Sequence, residues 1–405
     1  MAPTKKELKL TVFVFLLLPI VLEVMLRLAG AQFDAQLYEP DCQLGWKLRA
    51  GATGLVSTET RQYVKINTHG FRDAERSFNK PLKTVRIAVL GNSWTEALQV
   101  PLERTFCSVL EKKLSEKSCF GDQRVEVLNF GVAGYSTGQE LLTLRYEVWK
   151  YHPDLVLLAF NPARDIANNV RELNNAMDPE RSPYFVYREG ALVLDDSFRE
   201  LPALQPRQIA LQNFGYEINR RIRVLQAINA LQQWGKIRIA MAAAKDRAEK
   251  SGDENLEYNI YKPPALPAIQ MAWKVTEGLL MAMRDEVKAH GAEFRLVILA
   301  TRPQVDPDIR TRQELAQKLG LQDFSYADER LEKFGAMEAI PVTRLAPELA
   351  AYAEKNQIYL NGFNRSNQGK GHWNETGHRI AAEVIAADLC RAGGRTVAAE
   401  PSASR

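Results

Sequence analysis

The chain reads as an α/β protein built on a parallel sheet with helices on both faces. Short, mostly apolar runs of strand length (Val85–Leu90, Val125–Asn129, Leu155–Phe160 and Arg295–Ala300) alternate with segments of helical period. Strands covered on both faces lose the in–out alternation of half-exposed ones, so this pattern implies a two-sided parallel sheet. In addition, Ser93, Gly134 and Asp165 each stand just past the end of one such run, where open parallel sheets hold their ligands.

The elements follow in order. Lys5, Lys6 and Lys9 precede the apolar run Leu10–Leu22, a positive flank and apolar core typical of an export signal. Counted from Leu8 to Leu28, with Lys9 and Arg27 snorkelling, the stretch is long enough to span a bilayer, with Glu23 inside it at a cost. Ala29-Gly30-Ala31 has the small residues of a cleavage site. Residues 1–31 are therefore predicted to be an N-terminal membrane helix, with a cleaved signal or a buried soluble helix as the alternatives. The first two readings put the body on the periplasmic or extracellular side and the lysines in the cytoplasm. Residues 32–80 form an irregular lead-in with short strands, of which Tyr63–Asn67 alternates and His69–Asp73 reads as a turn.

Residues 81–390 carry the α/β pattern. After the strand Val85–Leu90, a helix has Phe106, Val109, Leu110 and Leu114 on one face. Glu140–Tyr151, Met271–Lys288 and Glu375–Leu389 read as further helices. An insertion over 171–266 breaks the alternation. Its first part, Tyr184–Tyr187, Arg188-Glu189-Gly190 and Ala191–Leu194, is a hairpin pattern. Asn213–Lys250 then reads as a helix rich in Arg220, Arg221, Arg223, Lys236, Arg238, Lys245 and Arg247. Such a helix can meet acidic lipid or polysaccharide, though a solvated face is the simpler reading. Residues 391–405 are small and polar, a predicted disordered tail.

Composition narrows the function. Of 405 residues, 46% are apolar, and the net charge of +4 gives no reason to expect nucleic acid as a partner. The four cysteines (Cys42, Cys107, Cys119, Cys390) lack zinc spacing, and no cofactor or metal motif stands out. Cys107 and Cys119 are close enough in sequence to bridge, but isolated thiols are the simpler expectation.

Chemistry concentrates at two places. Ile87–Leu90 runs into Gly91-Asn92-Ser93, where a helix should begin, and His372 sits far downstream in Gly371-His372-Trp373-Asn374-Glu375. Serine is a weak nucleophile that needs a base within hydrogen-bond reach. A strand-to-helix turn also aims backbone N–H groups at a developing oxyanion. Against this, Ser93-x-x-Glu96 has the form of a capping box, so the hydroxyl could merely cap a helix. His378 falls on the first turn of the last helix and reads as structural, while His69, His152 and His290 read as surface positions.

These blocks, from about Asn67 to Leu389, resemble the SGNH (GDSL-type) hydrolase family. Gly91-Asn92-Ser93 is similar to its first block, with Asn92 where the family has aspartate. Asn129-Phe130-Gly131-Val132-Ala133-Gly134 is similar to its second, and Gly371–His378 to its fifth. In the third, Asp165 fits, and Arg164 stands where the family carries an asparagine amide. The acid expected three residues before His372 is Gly369, followed by Lys370, so any carboxylate orienting His372 must come from elsewhere, or a backbone carbonyl must serve.

The resemblance implies a flavodoxin-like three-layer α/β/α fold and a serine esterase. Ser93 would be the nucleophile and His372 the base, with Ser93 and Gly134 N–H, and Arg164 in the asparagine position, at the oxyanion. It implies small acyl esters or acylated glycans as partners, and no cofactor. A degenerate glycan- or partner-binding relative and a polysaccharide O-acyltransferase are the alternatives. If Arg164 merely replaces a better donor, Arg164→Asn is expected to raise hydrolysis of a neutral ester.

Overall fold

The structure is a computed structural model that describes residues 5–174, 177–232, 235, 256–365 and 367–393. The chain divides into two compact units, residues 1–36 with 206–254 and residues 37–205 with 255–405.

The larger unit is organised by five parallel strands: β5 (Thr84–Gly91), β6 (Arg124–Asn129), β7 (Leu155–Phe160), β10 (Glu293–Ile298) and β11 (Val342–Arg344). Their spatial order is β6-β5-β7-β10-β11, the doubly wound order of flavodoxin-like sheets. β5 pairs with β6 on one side and β7 on the other, and every residue of β5 is buried. Such a strand is mostly apolar rather than alternating. One polar exception is Arg86, enclosed and bonded to Glu126 at 2.8 Å. It also donates to the carbonyls of Ser77, Phe78 and Asn79, fastening the lead-in to the sheet.

Helices cover both faces. On one, α3 (Phe106–Glu116), α11 (Ala346–Asn356) and α12 (Glu375–Gly393) share a core of Val85, Ile87, Val89, Phe106, Leu110 and Ile385. α4 (Thr137–Tyr146), α5 (Pro162–Asn168) and α8 (Pro267–Ala289) pack with one another, α4 also against β5 and α8 against β10. Cys119, just beyond α3, forms a disulfide with Cys390 of α12. The sequence-adjacent Cys107 is instead a buried free thiol and Cys42 an exposed one. Isolated thiols were therefore expected wrongly for Cys119 and Cys390. The packing of α3 along α12 brings them together across 271 residues, a proximity that sequence spacing does not encode.

The lead-in forms two antiparallel hairpins, β1 (Tyr38–Asp41) with β2 (Gly45–Leu48), and β3 (Thr53–Val56) with β4 (Gln62–Lys65). The hairpin expected early in the insertion is present as β8 (Tyr184–Arg188) and β9 (Ala191–Asp195), packed on α8. His69 departs from its expected surface position: it is half-buried between Phe78 and Tyr151.

The smaller unit contains α1 (Lys5–Leu28), α6 (Pro206–Asn219) and α7 (residues 223–232). The single long helix expected over 213–250 is broken at Arg220–Ile222, where a new helix start is made. Glu23 binds that start, accepting the Val224 N–H at 2.9 Å and the Arg27 Nε–H at 2.7 Å. Among the described residues, no helix is long and apolar enough to cross a membrane, so the membrane helix expected at 1–31 gains no support from the fold. Lys236, Arg238, Lys245 and Arg247, and residues 394–405 of the expected tail, lie outside the described residues.

Candidate active site

β5 ends at Gly91, and the chain turns at once into the short helix α2 (Ser93–Glu96). Asn92 is the cap of that helix, its Oδ1 accepting the Trp94 N–H at 3.1 Å. The capping-box reading of Ser93 and Glu96 is thereby overturned. Glu96 points away into the core, where it accepts the Tyr38 hydroxyl at 2.9 Å, and burial pushes its carboxyl up to about 8 despite that bond and the nearby Arg72 charge. The Ser93 hydroxyl is left to do something else.

It meets His372. Ser93 Oγ and His372 Nε2 are 2.8 Å apart, and His372 Nδ1 lies 2.5 Å from Glu59 Oε1. For Nε2 to accept from the serine, Nδ1 must carry the proton, and a carboxylate is what can accept it. Glu59 Oε2 also accepts the backbone N–H of His372 at 2.9 Å. Burial alone would raise the Glu59 carboxyl, but its bonds and attraction to His372, with the Arg302 charge, hold it below the ordinary value. Glu59 sits in the β3–β4 hairpin loop, 313 residues before the histidine. The acid missing at 369 is thus supplied from the lead-in. The only local trace of it was Gly371: at φ +70, its Cβ would fall 2.1 Å from Glu59 Oε2, so a side chain there would displace the carboxylate.

Ser93 and Gly134 line the same cavity. Gly134 has φ +79, and a Cβ there would crowd Met177 and Trp46 at 3.2 Å. The turn that carries it is tied to the serine turn by Asn129, whose Nδ2 donates to Thr95 O at 2.8 Å and whose Oδ1 accepts the Gly131 N–H at 2.9 Å. The N–H groups of Ser93 and Gly134 have no partner among the described residues.

The third strand end contributes Asn161, Arg164 and Asp165. Asn161 caps α5 through Oδ1, which accepts the Ala163 N–H at 3.1 Å. Its Nδ2 takes no partner among the described residues, and Asn161 and Arg164 both line the cavity over Ser93. Asp165 is enclosed, accepting from Asn92 Nδ2 at 2.7 Å and from the Asn161 N–H at 2.6 Å. Burial pushes it up to about 7 against those bonds. Glu140 lies close by, fully buried, its carboxyl driven up by burial and by the Asp165 charge. An amide at 92 rather than a carboxylate follows from this: it donates to Asp165, and it adds no further charge to an enclosed acidic pair.

The cavity encloses about 540 Å³ and is lined by Trp94, Asn168, Tyr258, Tyr261 and Arg302 besides the residues above. His378 is buried as expected: its Nδ1 accepts the Phe106 N–H at 3.3 Å, and burial lowers it to about 3. Among the described residues, no group of three or more His, Cys, Asp or Glu side chains could hold a metal ion.

No protein-family model matches the sequence, and neither does any curated protein compared with it. Several solved structures are similar in part. An acetyl xylan esterase, AlAXEase, is 12% identical over 75% of this chain and 99% of its own, with a TM-score of 0.37. TesA is 11% identical over 76% and 99%, with a TM-score of 0.35. A catalytic mutant of an acetylxylan esterase from Geobacillus stearothermophilus is 9% identical over 75% and 94%, with a TM-score of 0.38. The strand order, rather than these likenesses, carries the fold.

Proposed function

We propose that the chain is a serine-dependent carboxylic ester hydrolase of the SGNH type. The observation that carries this reading is the continuous chain of hydrogen bonds Ser93–His372–Glu59 at the mouth of a cavity. Such a chain activates a hydroxyl. Ser93 Oγ attacks the ester carbonyl while His372 Nε2 takes the hydroxyl proton. As the carbon–oxygen bond to the alcohol breaks, His372 returns that proton to the departing oxygen, and Ser93 holds the acyl group. Water, deprotonated by His372, then releases the acid; a sugar hydroxyl in its place would give acyl transfer. The N–H groups of Ser93 and Gly134 and the Asn161 amide hold the oxyanion, and Arg164 lines the same cavity.

The cavity, lined by aromatic and polar side chains together, suits a short acyl group on a glycan. A fluorophosphonate probe should label the wild-type protein and leave Ser93→Ala unlabelled. It should label His372→Ala slowly, and the double variant should be no worse than either single one. Equal labelling of Ser93→Ala would refute the reading.

We place this domain outside the cytoplasmic membrane. The lysine-flanked apolar run and the Cys119–Cys390 disulfide both support it, since disulfides persist in oxidising compartments.

A further inference from the structure

We infer that the ester substrate is a sugar bearing a negative charge, a carboxylate or a phosphate, held between Arg164 and Arg302. This deepens the hydrolase reading and rests on it.

The two arginines occupy equivalent places. β7 and β10 are neighbouring parallel strands in which Phe160 and Ile298 are register partners. Arg164 follows Phe160 by four residues, and Arg302 follows Ile298 by four. Both therefore rise from adjacent strand ends, and both line the cavity over Ser93. Arg302 makes no ion pair or side-chain hydrogen bond among the described residues. Its charge nevertheless reaches the catalytic group, because it helps to lower Glu59.

The charge balance of the lining favours an anion. Its acidic member is Glu59, and both Glu59 oxygens are engaged with His372. The lining also carries two guanidiniums, Arg302 acting on Glu59 and Arg164 on the buried Asp165, and the planar donor fork of each matches carboxylates and phosphates. A neutral acetyl ester needs neither of them. The rest of the lining is mixed, with aromatic Trp94, Tyr258 and Tyr261 beside polar Asn161, Asn168 and Thr301, and a sugar ring, apolar on its faces and polar at its rim, matches such a lining. The volume of about 540 Å³ accommodates a sugar ring and a short acyl group.

The experiment compares mono-O-acetylated methyl glucoside, methyl glucuronide and methyl glucoside 6-phosphate as substrates of the full chain. Wild type should prefer at least one charged ester by about tenfold or more in kcat/KM, the size expected of a charge-assisted contact. Which ester is preferred identifies carboxylate or phosphate. Arg302→Gln should cut that ratio by about tenfold, and added salt should shrink it, because both arginines are exposed. The ratio is the readout, so a general loss of activity does not mimic the result. Fluorophosphonate labelling of Ser93 is followed in parallel. Labelling without any charge preference, or a preference untouched by Arg302→Gln and by Arg164→Gln, overturns this inference alone. Absence of labelling overturns the hydrolase reading and this inference with it.

Discussion

Glu59→Gln isolates the one member of the candidate triad that no local sequence pattern announces. The substitution keeps the size of the side chain and removes its charge. Wild-type Glu59 makes a 2.5 Å contact with His372 Nδ1 and a 2.9 Å bond to the His372 backbone. Glutamine can still accept one of these through its oxygen, but it cannot balance the imidazolium that forms as Ser93 attacks. Losing a hydrogen bond to a charged group costs about 1.5–3 kcal/mol, or roughly 10–10² in rate. If the glutamine amide instead donates to Nδ1, the ring is held in the wrong tautomer, and the loss grows to about 10⁴. The expected result is a fall in kcat of about 10–10⁴ with KM little changed, since both Glu59 oxygens are engaged with His372 and act when charge develops. Glu59→Asp should recover part of the loss. The side chain lies on a hairpin loop and is 23% exposed, so the thermal midpoint should move little. Initial rates on a chromogenic acetyl ester, with fluorophosphonate labelling rates beside them, decide the matter. Activity of Glu59→Gln within about threefold of wild type would refute the role of the hairpin carboxylate.

Asn161→Ala should lower kcat on a neutral acetyl ester by about 10²–10³, the value of one well-placed oxyanion donor, and Arg164→Ala by less than tenfold; the reverse order would hand the oxyanion to the arginine. Glu96→Gln should flatten the dependence of stability on pH. The folded carboxyl is raised to about 8 from an ordinary value near 4.5, so the folded state keeps a proton that the unfolded state has lost between those limits. Wild-type stability therefore falls as pH rises across that window, by on the order of 1 kcal/mol per unit from this group, and the variant lacks that contribution. Denaturant midpoints at pH 5 and pH 8 should converge in Glu96→Gln, and an unchanged slope would exclude Glu96 as its source.

Much of this arrangement could be read from the chain because it obeys local rules. β5, β6, β7 and β10 announce themselves as short, mostly apolar runs because both faces are covered. Ser93, Gly134 and Asp165 were legible because a parallel sheet sets its loops together at one end. β11, three residues long, offers too little pattern to be found. Glu59 escaped for another reason. Nothing in a polar hairpin loop distinguishes one glutamate as a partner for a histidine 313 residues away. The same holds for Cys119 and Cys390, joined by the packing of two helices. Local chemistry also offered an alternative that the fold does not use: Ser93-x-x-Glu96 has the spacing of a capping box, but Asn92 takes the cap and Tyr38 takes Glu96.

The departures from the family pattern become mutually consistent once their neighbours are known. Glycine at 369 and 371 leaves no acid just before the histidine, and at 371 the missing side chain is the space the Glu59 carboxylate occupies. Asparagine at 92 is neutral where it must donate to Asp165, itself crowded by Glu140. Arginine at 164 stands in the expected asparagine place, while Asn161, three residues earlier, keeps an amide at the cavity wall. Each missing group has a spatial substitute, which a site drifting toward inactivity gives no reason to expect. A catalytically degenerate relative would have no need of a carboxylate brought across 313 residues to both the ring and the backbone of one histidine. That double contact fixes the ring as a proton transfer would require, and it is the strongest reason to prefer the proposed turnover over mere binding.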